Sequence, residues 1–315
     1  MPVPPQRFLA SLSLALVLGS ALSQASEGRV VLESNELRVI IDPASNGRIA
    51  SILSKKNGVE HLEPTVIREE VQSPLLPTTI VSNHGGVEDW FWKQYVTPRI
   101  AFRLKGQGES PAGPWATVTG NINGINVKRR MTLLKSLPAL QVDVTLHSDA
   151  PVDASYWVHI IVAGNHYLDK ESGKGTLAGA FSGDPTPRQG RGMLALKQAG
   201  PQLVPIAFGD IALAPAGNWF ARVAADGSGS LALIVEKNFG ERGGFFYAWQ
   251  DTQTRIGSLE AVWPKEKIGS SQPGSQAGQP GEVHLRYFLA VTEETNPVRL
   301  DQLLDKLSSS EIPIP

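Results

Sequence analysis

Three side chains in this chain interrupt apolar strand faces, and each is of a type that can do chemistry. In residues 155–163 alternation puts Tyr156, Val158, Ile160 and Val162 on one face and Trp157, His159, Ile161 and Ala163 on the other. An imidazole mid-strand on a largely apolar face has two readings. It is a buried neutral histidine satisfied by one hydrogen bond, or it lies in the floor of a cleft, where small shifts carry its pKa through neutrality. Glu260, in the run 256–264, has apolar neighbours on both sides. A carboxylate there is a paired structural charge or a catalytic group. Arg129 interrupts the face formed by Ile125, Val127, Met131 and Leu133. A guanidinium is not buried unpaired, so Arg129 either meets a carboxylate or reaches a cleft and binds a polar ligand.

A fourth feature is His84-Gly85-Gly86, followed closely by Trp90 and Trp92. Two glycines let the backbone turn sharply and let a ligand approach it. Indole faces are flat apolar platforms with one donor each, suited to sugar rings. The tripeptide beside two tryptophans reads as the rim of a carbohydrate site; the plain alternative is a loop with a solvated histidine. His166, after Gly164-Asn165, is placed on the same loop face as His159; Trp157 shares the strand face of His159, and Trp249 and Trp263 bracket the region of Glu260. Most of the seven tryptophans are expected in the core.

The rest of the chain bounds what these residues can serve. Arg7, the apolar run 8–22 and Ser23-Gln24-Ala25 read as a signal peptide over residues 1–25, with the mature chain starting near Ser26. The run is too short for a membrane span. A periplasmic or secreted location is therefore expected, with no integral span after cleavage. With no cysteine, disulfides, thiolate metal sites and a lipoprotein anchor are excluded. A formal net charge of −1 argues against a nucleic-acid partner, which calls for a basic face. No His-Glu-x-x-His spacing is present, and neither a metal nor a cofactor is expected.

The elements that must position these groups are strands. Residues 36–42 and 48–53 flank Asn46-Gly47 as a hairpin. Residues 140–147 alternate strictly, which makes a half-buried antiparallel strand with His147 on the wet face. Further strands are expected at 98–104, 115–120, 125–134, 155–163, 204–214, 219–224, 230–236, 244–250, 255–263 and 282–291. One helix follows Asn296 as N-cap and Pro297 as first residue, with Leu300, Leu303, Leu304 and Leu307 as its stripe. Residues 169–192 and 269–281 read as loose loops. The sum is an all-β fold: one large antiparallel β-sandwich domain over residues 26–315, with a short C-terminal helix.

In this order the motifs resemble galactose mutarotase-like (aldose 1-epimerase-like) domains. The run 31–43 with 46–52 is similar to the opening strand pair of that family. His84-Gly85-Gly86 is similar to its His-Gly-Gly segment, the run 159–164 to its second histidine motif, and 259–264 to its glutamate strand. The run after His159 lacks the family's aromatic-Asn ending, and the run around Glu260 lacks its Pro-Gln neighbourhood. The resemblance implies a supersandwich fold and a site in which Glu260 takes the proton of an anomeric hydroxyl while His159 gives one to the ring oxygen. His84 would then hold the ring-oxygen region, Arg129 a hydroxyl, and Trp90, Trp92, Trp157, His166 and Trp249 the rest of a mono- or oligosaccharide. Two alternatives stay open: a non-catalytic glycan-binding or envelope protein of the same fold, and a polysaccharide lyase-like enzyme.

Overall fold

The computed structural model of the chain describes residues 28–65, 67–72, 79–91, 102–182, 199–207, 209–251, 255–269 and 281–309. The expected signal peptide, Trp92 and most of the run 269–281 lie outside them.

Alternating apolar residues dictate two large antiparallel sheets. The first has eight strands in the spatial order β1 (Val30–Glu33), β2 (Leu37–Asp42), β3 (Arg48–Ser54), β6 (Gly86–Phe91), β12 (Tyr156–Val162), β19 (Ile256–Val262), β18 (Phe245–Asp251) and β15 (Gly209–Leu213). The second has nine: β14 (Gly200–Ile206), β13 (Gly175–Phe181), β16 (Pro215–Val223), β17 (Ser230–Val235), β21 (Val283–Thr292), β10 (Ala139–His147), β9 (Ile125–Leu133), β8 (Pro114–Ile122) and β7 (Arg103–Glu109). Two small ribbons, β4 (Ile67–Gln72) with β5 (Thr79–His84) and β11 (Val152–Ala154) with β20 (Glu266–Ile268), complete the strands among the described residues.

The inner faces of the two sheets share one apolar core. Val158, Ile160, Leu259 and Phe246 of the first meet Val142, Val144, Leu233 and Leu289 of the second, all essentially without solvent contact. Removing that apolar surface from water is the main force holding the sheets together. The first sheet also carries apolar residues outward, so β12 is buried along its whole length.

The expected hairpin forms between β2 and β3, with Asn46 and Gly47 both at positive φ. The C-terminal helix α2 (Pro297–Ser309) begins as expected: Oδ1 of Asn296 accepts hydrogen bonds from the backbone N–H of Val298 (3.0 Å) and Arg299 (3.2 Å). Leu300 and Leu304 are buried on the outer face of the second sheet, near Trp219 and Ala178. Leu303 departs from the expected stripe and is 38% exposed. Among the described residues no helix is long and apolar enough to cross a membrane.

Two other expectations are corrected. Residues 175–181, read as loop, form the interior strand β13. Their glycines and alanines look unlike a core strand, but the small residues make room: a Cβ at Gly175 would lie 2.7 Å from Nη1 of Arg222. The single strand expected at 204–214 is two strands in different sheets, β14 and β15, and Gly209 at the start of β15 has φ +92°. The four-residue helix α1 (Gly164–Tyr167) was also unforeseen.

Candidate functional site

The outer face of the first sheet carries the polar groups that the inner face excludes. Register places Glu88 of β6 opposite His159 of β12, and His159 opposite Glu260 of β19, so the three form one row across adjacent strands. Tyr247 of β18 continues the row beyond Glu260. Trp90, Trp157 and Val262 are buried on the same face, with Phe245 and Tyr247 packed against them. Period-two alternation puts all of these on one side once the strands pair in this order.

Nδ1 of His159 lies 3.0 Å from Oε1 of Glu260, with the two side chains 2% and 0% exposed. The separation is that of an ion pair, but the angles are too bent for an aligned hydrogen bond. The His159 ring also stacks on Trp90, with centroids 4.2 Å apart and planes 23° apart; Trp249 lies nearly parallel at 6.3 Å. The two indoles thereby fix the plane of the imidazole, with its Nδ1 edge toward Glu260.

Glu88 is a candidate site residue that the sequence reading does not include. Burial pushes its carboxyl up to about 7, against the opposing pull of His159 and of the Trp90 indole, whose Nε1–H points at Oε2 from 3.5 Å. Its signal was present, because Glu88 falls two residues from both Gly86 and Trp90 and therefore shares their face.

The expected site residues divide. His159, Glu260, Trp90, Trp157 and Trp249 come together. His84 is the last residue of β5, immediately before the glycine pair leading into β6. Gly86 has a structural reason of its own: at φ +70°, a Cβ there would collide with the carbonyl of Ile49. Trp92 lies outside the described residues.

Arg129 and His166 are not brought to this face. Arg129 is buried between the sheets. Its Nε lies 3.0 Å from Oδ2 of Asp89, Nη1 donates to Oδ1 of Asp89 (3.2 Å), and Nη2 donates to the carbonyls of Asn46 (3.2 Å) and Gly47. Of its two readings, the paired charge is the one seen. Tyr156 donates to the same carboxylate at 2.5 Å. His166 belongs instead to α1 and stands edge-on to His61, with centroids 5.6 Å apart. His61 is 2.6 Å from the Tyr167 hydroxyl through Nδ1. Burial, then the neighbouring His166, lower the pKa of His61 to about 4.

A second buried arginine supports the face from below. Arg222 of β16 crosses the core, donating to the carbonyls of Ser258 (3.0 and 2.9 Å) and Trp249 (3.0 Å) and to Oε1 of Gln250 (2.8 Å). Burial lowers its pKa to about 9, partly offset by Glu260. It thereby fixes the backbone of the two strands that carry Trp249 and Glu260. Among the described residues, no group of three or more His, Cys, Asp or Glu side chains is arranged to hold a metal ion.

With this geometry the fold can be compared with known proteins. No protein-family model matches the chain, and no curated protein matches its sequence. Solved structures do. A galactose mutarotase-like protein from Lactobacillus casei superposes with a TM-score of 0.54 at 11% identity, over 84% of this chain and 100% of its own. A proposed aldose 1-epimerase from Klebsiella pneumoniae gives 0.54 at 10%, over 87% and 82%. A proposed mutarotase from Salmonella typhimurium gives 0.53 at 10%, over 84% and 90%. The chain has the galactose mutarotase-like fold. At these identities the likeness establishes the fold, and one fold carries many chemistries.

Proposed function

We propose that this protein acts on a carbohydrate at the Glu88–His159–Glu260 face, as an aldose 1-epimerase-like enzyme. The observation that carries the reading is the 3.0 Å approach of His159 to Glu260 on a face walled by Trp90, Trp157 and Trp249. In the proposed reaction the two side chains, in contact in this structure, move apart to admit the hemiacetal between them. Glu260 removes the proton from the anomeric hydroxyl, His159 protonates the ring oxygen, and the bond from C1 to that oxygen breaks to give the open-chain aldehyde. Rotation about C1–C2 and reclosure, with the proton transfers reversed, yield the other anomer. General acid–base help of this kind contributes roughly 10²–10⁴-fold.

The test is the rate at which a pure anomer of galactose or glucose relaxes, followed by polarimetry with and without the protein. Acceleration that disappears in Glu260→Gln supports the reading; relaxation at the solvent rate with every aldose tried removes it.

The burial of both partners favours a second reading, a glycan-binding protein of the same fold in which His159 and Glu260 are structural. That protein binds sugar equally well as Glu260→Gln and turns nothing over.

A further inference from the structure

The outer face of the second sheet is divided. One half lies under α2 and is apolar, with Ala178, Trp219, Ala221 and Ala290 beneath Leu300 and Leu304. The other half, formed by β21, β10, β9, β8 and β7, points polar side chains outward in rows. One row runs Arg103, Thr119, Lys128, Thr145, His284; the next runs Gly106, Thr117, Arg130, Asp143, Arg286. The first row as far as Thr145 lines a recess of about 440 Å³, the second row together with His284 lines a cleft of about 750 Å³, and the two share Lys105, Lys128 and Thr145.

Charge on this half is unbalanced. Its acids are engaged: Asp143 with Arg286 at 2.5 Å, Glu236 with Arg242 at 3.7 Å, Glu282 with His284 at 3.4 Å. Among the described residues, Arg103, Lys105, Lys128 and Arg130 have no carboxylate partner. In a chain of net charge −1, four such cations, two on β7 and two on β9 with β8 between them, form a local excess. Arg130 also stacks on Trp115, 4.2 Å from the ring centroid, and the glycines of β7 leave that indole half-exposed in the cleft. An aromatic platform, a line of threonine hydroxyls and uncompensated cations together match a chain of sugar rings bearing regular negative charge.

We infer that this open half-sheet is a binding surface for a linear anionic polysaccharide, separate from the His159 face. A nucleic acid fits less well, since single strands are held on successive aromatic platforms, and of the Trp115 and Phe288 rings lining this cleft Phe288 is buried while Trp115 is half-exposed. The inference is independent of the proposed epimerase activity.

The test measures binding of the full chain to polygalacturonate, to heparin, to neutral dextran and to a short DNA duplex, at low and high salt. The expected result is salt-sensitive binding of polygalacturonate or heparin, with dextran unbound and DNA bound more weakly. The triple variant Lys105→Glu, Lys128→Glu, Arg130→Glu should weaken glycan binding by about tenfold or more. Lys55→Glu with Lys56→Glu, on another part of the surface, should leave it unchanged. The altered lysines are solvent-exposed, and circular dichroism of each variant checks its fold. Binding of neither glycan, DNA bound as tightly as the glycans, or equal loss in the two sets of variants would overturn the inference.

Discussion

Nδ1 of His159 stands 3.0 Å from Oε1 of Glu260 in a place solvent does not reach. Two side chains this close, on facing strands, are expected to act as a unit, and removal of either partner of such a unit costs nearly as much as removal of both. Glu260→Gln is expected to slow anomer interconversion by roughly 10²–10⁴-fold, His159→Gln by a similar factor, and the double variant by little more. Polarimetry on the three proteins decides. Losses that multiply would mean the two residues serve separate steps.

Stability should depend on pH through two groups of opposite sign. The folded pKa of Glu88 is about 7, above the ordinary 4.5. Between those values the folded state holds a proton that the unfolded state has lost, so this contribution to stability falls as pH rises and is gone above 7. The folded pKa of His61 is about 4, below the ordinary 6.5. There the unfolded state holds the extra proton, so this contribution falls as pH drops from 6.5 to 4. Each is worth on the order of 1–3 kcal/mol. Urea midpoints measured from pH 4 to pH 8 should show Glu88→Gln gaining most, relative to the parent, above pH 7, and His61→Gln gaining most at the acid end. Parallel curves for parent and variants would refute both assignments.

What could be read from the sequence follows from what alternation encodes. It assigns each residue to a face of its own strand, which is why the mixed faces at His159 and Glu260 stood out and why the sandwich and the Asn296 cap were legible. Alternation does not say which strands are neighbours. The order β6, β12, β19 brings Glu88, His159 and Glu260 into one row, and nothing within any one of those segments specifies it. The same gap left Arg129 with two readings, since its partner Asp89 lies 40 residues away. It also hid β13, whose small residues are explained by distant groups: Gly175 by Arg222 and Gln250, and Ala178 and Ala180 by the cluster under α2.

Arg222 ties the second sheet to the strands of the site, so damage there should reach the site from a distance. Arg222→Met leaves the carbonyls of Ser258 and Trp249 and the amide of Gln250 without this donor. Each buried group left unsatisfied costs about 1–3 kcal/mol, and a lowered melting temperature is expected. Gly175→Ala should act in the same way but more weakly, because its methyl would press on both Arg222 and Gln250. Tryptophan fluorescence should shift in both variants as Trp249 loses its fixed backbone. A destabilised Arg222→Met with an unaltered spectrum would show that the arginine holds the sheets together without positioning the site.

Asp89 and Arg129 should behave as a structural pair with no part in sugar binding. Asp89→Asn strands a buried guanidinium, and breaking a buried pair in this way costs about 3–5 kcal/mol. Replacing both residues, Asp89→Asn with Arg129→Met, removes the stranded charge and should recover part of that loss. The double-mutant cycle in urea measures the coupling directly. Sugar affinity, taken per folded molecule, should match the parent in every variant of the cycle. If affinity falls in Arg129→Met while the urea midpoint holds, Arg129 reaches the ligand after all and the pairing with Asp89 is secondary.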